Sequence, residues 1–143
     1  EIEDTPPVSS APVLRILIVD DHAAVRTVFR ELLEEQREFE VVGDACNGFE
    51  AIDQARALKP DVILMDISMP HMDGIEATRR IRAELKSIEV LGLSSQLWPE
   101  PVHPIQEAGA SGYFVKGLDT QRLTDRLLHM HTGLTATTAA RSV

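Results

Sequence analysis

The sequence predicts an α/β fold: a doubly wound parallel sheet of five strands with helices on both faces. Three observations predict it. Five short apolar runs, at 14–19, 39–43, 61–66, 90–94 and 112–116, alternate with stretches whose apolar residues recur at helical spacing. The strand runs are apolar at nearly every position, the mark of strands buried on both faces. No turn dipeptide joins two alternating segments into a hairpin, since Asp73-Gly74 is followed by a helical pattern. Short crossovers between parallel strands then place helices on both sides of the sheet.

Each element has its own local reason. Strand 1 spans Leu14 to Val19. The next helix carries Val25, Val28, Phe29, Leu32 and Leu33, spaced i, i+3, i+4, i+7 and i+8, as one inward stripe. Strand 2 runs from Phe39 to Gly43. Asn47 stands three residues before Glu50, a capping-box-like start for a helix turning Ala51, Ile52, Ala55 and Leu58 inward, and Pro60 ends it. Strand 3 is Asp61 to Asp66. A loop over 67–72 leads to Asp73, which caps a helix with Glu76 near its start and Ile75, Thr78, Ile81 and Leu85 on one face. Strand 4 is Val90 to Ser94 and strand 5 is Gly112 to Lys116. Asp119 opens a last helix with Leu123, Leu127 and Met130 inward.

The connecting and terminal segments differ. Residues 1–12 are rich in Pro, Ser and acid and read as a disordered arm or linker. Residues 132–143 carry no apolar stripe and read as a tail, or as the start of a linker to a further domain. Between strands 4 and 5, Pro99, Pro101 and Pro104 push Trp98, Glu100 and His103 out of the helical region. This predicts an irregular loop from about Gln96 to His103, with Trp98 partly exposed on it. The fourth helix shrinks to a turn or two from Pro104, a favourable first helical position.

Composition excludes several classes of function. The 143 residues suit one domain, 13–131, with enough chain for a core that needs no disulfide or structural metal. A formal charge of −9 opposes both a phosphate-tracking nucleic-acid binder and a polybasic membrane anchor. The single Cys46 forms no internal disulfide and suits a reducing cytoplasm. The five His show no zinc-site spacing, and no run is long enough to span a membrane. The chain begins with Glu1 rather than Met and is expected to be a piece of a longer one.

The polar residues that end the strands carry the chemistry. Asp20 and Asp21 end strand 1, Asp66 ends strand 3, Ser94 ends strand 4 and Lys116 ends strand 5. The common order 2-1-3-4-5 needs only five strands and makes strands 1, 3, 4 and 5 neighbours, so all five residues meet at the carboxyl edge, where such sheets bind ligands. Taken singly, Asp21 is an ordinary helix cap, Asp66 a strand end, Ser94 a turn residue and Lys116 a solvated charge. Taken together they make a costly cluster of like charges unless a cation offsets it. Carboxylates with few nitrogen donors favour a hard ion, and Mg²⁺ is the default. No Gly-rich nucleotide loop is present, so a small phosphoryl group is the better substrate, with an Asp as nucleophile forming an acyl phosphate.

These residues lie in segments that resemble the receiver domain of two-component response regulators. The segments are ILIVDDH (16–22), PDVILMDISMPHMDGIEATRRIR (60–82), LSS (93–95) and GASGYFVKG (109–117). The wording is most similar to receivers of LuxR-type transcriptional regulators. The resemblance implies the (βα)5 flavodoxin-like receiver fold and makes Asp66 the phosphorylated residue, with Ser94 and Lys116 assisting. It makes Asp21 a direct Mg²⁺ ligand beside Asp66 and the Ser68 backbone carbonyl, with Asp20 acting through water. Ser94 and Tyr113 become the switch pair, although Tyr113 on a strand also fits a plain core position. It further implies a sensor histidine kinase or histidine phosphotransfer partner and cytoplasmic location. Either the receiver stands alone or its output runs through a transcriptional domain beyond this segment, and the LuxR-type wording favours the second; the segment itself is expected to contact neither nucleic acid nor membrane. Such a domain is a regulator that assists its own phosphorylation and dephosphorylation, not an enzyme acting on a metabolite. The family often has Pro after the lysine, where this chain has Gly117, which has no cis preference. The shortened fourth helix makes the first and fifth helices the expected contact in any homodimer.

Two rivals are weaker. Haloacid-dehalogenase-like phosphatases carry Asp-x-Asp after the first strand, whereas Asp20-Asp21 has no spacer and no cap domain follows. A receiver that binds partners without phosphorylation would have a broken acidic set, and this set is intact.

Overall fold

The computed structural model describes residues 12–95 and 104–142, with side chains as far as 135. Its elements are β1 (Leu14–Val19), α1 (Ala23–Glu34), β2 (Phe39–Ala45), α2 (Gly48–Leu58), β3 (Val62–Asp66), α3 (Gly74–Glu84), β4 (Glu89–Ser94), α4 (Pro104–Glu107), β5 (Gly112–Val115) and α5 (Thr120–Ser142). The strands form one parallel sheet in the order β2-β1-β3-β4-β5, as the sequence predicts.

Strand periodicity splits the core in two. Leu17, Val19, Ile63, Met65 and Val90 point to one face and meet Ala51, Ile52, Ala55, Ala77, Ile81 and Ile105. Ile16, Ile18, Val62, Leu64, Leu91 and Leu93 point to the other and meet Phe29, Leu33, Leu123 and Leu127. Each fully buried aliphatic side chain contributes about 1.5–3 kcal/mol, so the central strands anchor the domain.

The caps follow the sequence closely. Asn47 Oδ1 accepts the Glu50 N–H at 2.8 Å, and Asp73 Oδ1 accepts the Glu76 N–H at 2.9 Å. Glu50 Oε1 reaches back to the Cys46 N–H rather than to that of Asn47. Lys59, ahead of Pro60, closes α2 in the left-handed conformation, with φ 48°. α1 has no side-chain cap: its N-cap position is His22, not Asp21, and Asp21 is left for other work.

Some boundaries differ from expectation. β2 continues past Gly43 to Ala45, and an irregularity between Ile16 and Leu17 shifts the register by one residue so that Val19 pairs with Ala45. β5 stops at Val115, although the Lys116 N–H still bonds the Ser94 carbonyl at 2.7 Å. Val28 is 62% exposed rather than inward. The buried stripe of α1 centres on Phe29 and Leu33, and the residue before Phe29 is rotated by about 100° from it. α5 does not stop at His131 but runs to Ser142. Thr132 and Thr135 hydroxyls bond the Leu128 and His131 carbonyls one turn back, within a stretch that is helical without an apolar stripe. α4 is the short turn expected from Pro104. The loop over 96–103 with Trp98, and the arm over 1–11, lie outside the described residues. Among the described residues, no helix is long and apolar enough to cross a membrane.

Candidate functional site

β1, β3, β4 and β5 deliver their last residues to one edge. The Asp20 N–H bonds the Ala45 carbonyl at 3.0 Å, so the β2 register described above also fixes where β1 ends. Asp66 follows four fully buried residues of β3 and pairs with Leu93 on β4. Lys116 leaves β5 beside Ser94. Both Asp20 and Asp66 are buried.

The Lys116 ammonium joins them. Its Nζ donates to Asp20 Oδ2 at 2.6 Å and stands 3.2 Å from Asp66 Oδ1. Burial alone would lower the Lys116 pKa, but the Asp20 hydrogen bond and the charges of Asp66 and Asp20 outweigh it and hold the ammonium above its ordinary range. Burial pushes the Asp66 carboxyl up to about 6; the Lys116 charge opposes this and the Asp20 charge adds to it. Asp66 Oδ1 also accepts the Ser68 N–H at 3.3 Å.

The remaining site residues take distinct places. Asp21 Oδ1 is buried and makes no hydrogen bond, although the His22 ring Nδ1 stands 3.2 Å from it. Ser68 lines two adjoining grooves, one of about 360 Å³ with His22, Asp66, Ser95 and Lys116, the other of about 520 Å³ with Asp21 and Asp73. Ser94 is buried at the end of β4, one position past the partner of Asp66. Tyr113 is set back from this edge, paired with Gly92 and packed half-buried on the face of Ile105. The peptide before Gly117 is trans, and Gly117 adopts φ 79°, which suits glycine.

The geometry adds residues that the sequence left unassigned. Arg26 Nη1 donates to the Asp20 carbonyl at 2.6 Å, while its Nε lies 3.5 Å from Asp44. His22 lies at the site because its backbone N–H bonds Asp20 Oδ1 at 2.9 Å. Gly74 brings α3 onto the end of β3: a Cβ there would stand 2.1 Å from the Asp66 carbonyl oxygen. Only Gly74 had a sequence signal, the Asp-Gly pair after the loop, and that pair also fits a hairpin. Arg26 and His22 have none, because a first helical turn can face either way.

The donor set fits a hard divalent ion. Asp21 Oδ1, the Asp66 carboxylate and the Ser68 segment border one another, and a cation would satisfy the buried Asp21 oxygen that makes no hydrogen bond.

The profile of the response regulator receiver domain matches residues 16–128. The transcriptional regulatory protein LiaR of Bacillus subtilis is 41% identical over 115 residues, 80% of this chain and 54% of that protein. The chain thus spans about half the length of the curated relatives it matches. A LuxR-family response regulator from Aurantimonas sp. SI85-9A1 superposes with a TM-score of 0.78 at 35% identity, covering 85% of this chain and 86% of that one. CheY in a CheX-CheY-BeF3-Mg complex from Borrelia burgdorferi superposes with a TM-score of 0.73 at 26% identity, covering 85% and 92%. The fold, the edge that gathers Asp20, Asp66 and Lys116, and these similarities make the chain a member of the response regulator receiver domain family, a signalling module of two-component systems with LuxR-type relatives.

Proposed function

We propose that Asp66 accepts a phosphoryl group from the phosphohistidine of a sensor kinase or histidine phosphotransfer protein. The observation that carries this reading is the Lys116 ammonium held between Asp20 and Asp66 at the carboxyl edge. An ionised Asp66 oxygen attacks phosphorus in line; the P–N bond to the donor imidazole breaks as the O–P bond forms, and the imidazole nitrogen leaves with the electron pair. Asp21, Asp66 and the Ser68 carbonyl would hold Mg²⁺, with Asp20 contacting it through water. When bound, that ion offsets the charge on nucleophile and phosphoryl oxygens. Lys116 contributes the second positive charge, and the Ser94 hydroxyl donates to a phosphoryl oxygen once it is on Asp66. Tyr113, on the face of α4, would follow that movement. The Mg²⁺ and BeF3 of the CheY complex support this assignment by similarity.

The domain is then a regulator in the cytoplasm that governs transcription through an output domain in its longer parent protein. This segment contacts neither DNA nor membrane, and any homodimer forms through α1 and α5.

Incubation of the chain with a small phosphodonor and Mg²⁺ should add one base-labile phosphoryl group, read by intact mass. Asp66→Asn or chelation of Mg²⁺ should abolish it. A mass shift that survives Asp66→Asn would remove Asp66 as the acceptor. Asp21→Ala should weaken Mg²⁺ binding by about tenfold or more, whereas Ser94→Ala should leave it nearly intact and blunt the conformational response. Calorimetry showing equal Mg²⁺ losses in both would reject that division of roles.

A further inference from the structure

Building on the metal-binding reading of this edge, we infer that His22 adds a nitrogen donor to it, so that Asp20, Asp21 and His22 bind a borderline divalent ion of the Co²⁺, Ni²⁺ or Zn²⁺ class in competition with Mg²⁺. His22 Nδ1 lies 3.2 Å from Asp21 Oδ1 and 3.4 Å from Asp20 Oδ1. Their three donor atoms all fall within 4.8 Å of one another. Neighbouring ligands about 2.1 Å from a first-row ion stand roughly 3.0–3.4 Å apart, whether the ion is octahedral or tetrahedral. The imidazole therefore already stands at a ligand's distance from both carboxylates.

The local structure keeps it there. The backbone N–H of His22 holds Asp20 Oδ1, and the extended backbone at this N-cap position turns the ring back over the acidic pair. The ring is 70% exposed, so an ion reaches it without opening the core. Asp21 Oδ1, nearest to the ring, is buried and makes no hydrogen bond. Asp20 is bound to Lys116 through Oδ2, which leaves a lone pair on Oδ1 beside the N–H it already accepts. The chemistry separates the two kinds of ion. Mg²⁺ prefers oxygen and gains little from imidazole, whereas affinity for nitrogen donors rises along the first-row series. Occupation by such an ion would use Asp21 and so exclude Mg²⁺.

The test titrates the whole, metal-stripped chain with Co²⁺ and separately with Mg²⁺ by calorimetry, and records the Co²⁺ visible spectrum. His22→Ala keeps the backbone N–H to Asp20 and alters an exposed side chain, so the fold is preserved. The expected result is a loss of Co²⁺ affinity of about tenfold or more with Mg²⁺ affinity changed by less than about twofold, together with a red shift of the Co²⁺ bands as a nitrogen ligand gives way to water. No change in Co²⁺ affinity, or a parallel fall for both ions, would overturn the inference. Co²⁺ binding that persists in Asp21→Ala would place the ion elsewhere and overturn it too. The phosphoryl-acceptor reading fails separately, by absence of a Mg²⁺-dependent label on Asp66.

Discussion

At the scale of single residues, the site is a contest between burial and charge at Asp66. Its carboxyl keeps a proton up to about pH 6 in the folded, metal-free protein, against 3.8 as its ordinary value. The folded state therefore binds more protons than the unfolded state across that window, and stability falls as pH rises through it. Asp66→Asn has no proton to lose. In chelator, that variant should gain on the order of 1–3 kcal/mol over wild type near pH 7.5, and the gain should shrink towards pH 4. Urea titrations at the two pH values measure it; an equal offset at both would show that burial of the charge is not the cause. Addition of Mg²⁺ should narrow the gap by stabilising wild type. Asp20, Asp66 and Lys116 were legible beforehand because each interrupts an apolar strand at its end. Arg26 and His22 were not, because their roles depend on how the first turn of α1 rolls over β1.

At the scale of elements, the strands were the most legible parts, since a strand buried on both faces leaves a nearly continuous apolar run. The helices were less so. α1 carries one apolar residue more than its buried face accepts, and Val28 takes the exposed place. α5 continues where no apolar stripe announces it, held by backbone bonding that composition does not display. The contact between α3 and β3 depends on one missing side chain. Gly74→Ala drives a methyl into the Asp66 carbonyl, against backbone that has little room to give. It should destabilise by about 1–3 kcal/mol or more and also displace the Asp66 carboxylate, lowering phosphoryl labelling. Gly117→Ala meets no atom within 4 Å, and only its positive φ is strained. That variant should lose about 1–2 kcal/mol and retain Mg²⁺ affinity. Thermal melts with parallel Mg²⁺ titrations distinguish the two; equal Mg²⁺ losses would deny Gly74 its role beneath Asp66.

At the scale of the whole molecule, the parallel order sets when the site can exist. Lys116 meets Asp20 across 96 positions of sequence, and the fifth strand, at the sheet's far edge from β2, is the one that brings it. Pairings this distant are slow to form, since loop closure must precede the contacts that reward it. During synthesis, Asp66 leaves the ribosome 116 − 66 = 50 residues ahead of Lys116, a lag of roughly 3–10 s at ordinary elongation rates. On the phosphoryl-acceptor reading proposed above, the nascent chain would throughout that interval carry its acceptor carboxylate without the ammonium that steadies an incoming phosphoryl group. On that reading a half-made chain would be deaf to a kinase, and the ability to be addressed would arrive only with the strand that completes the sheet.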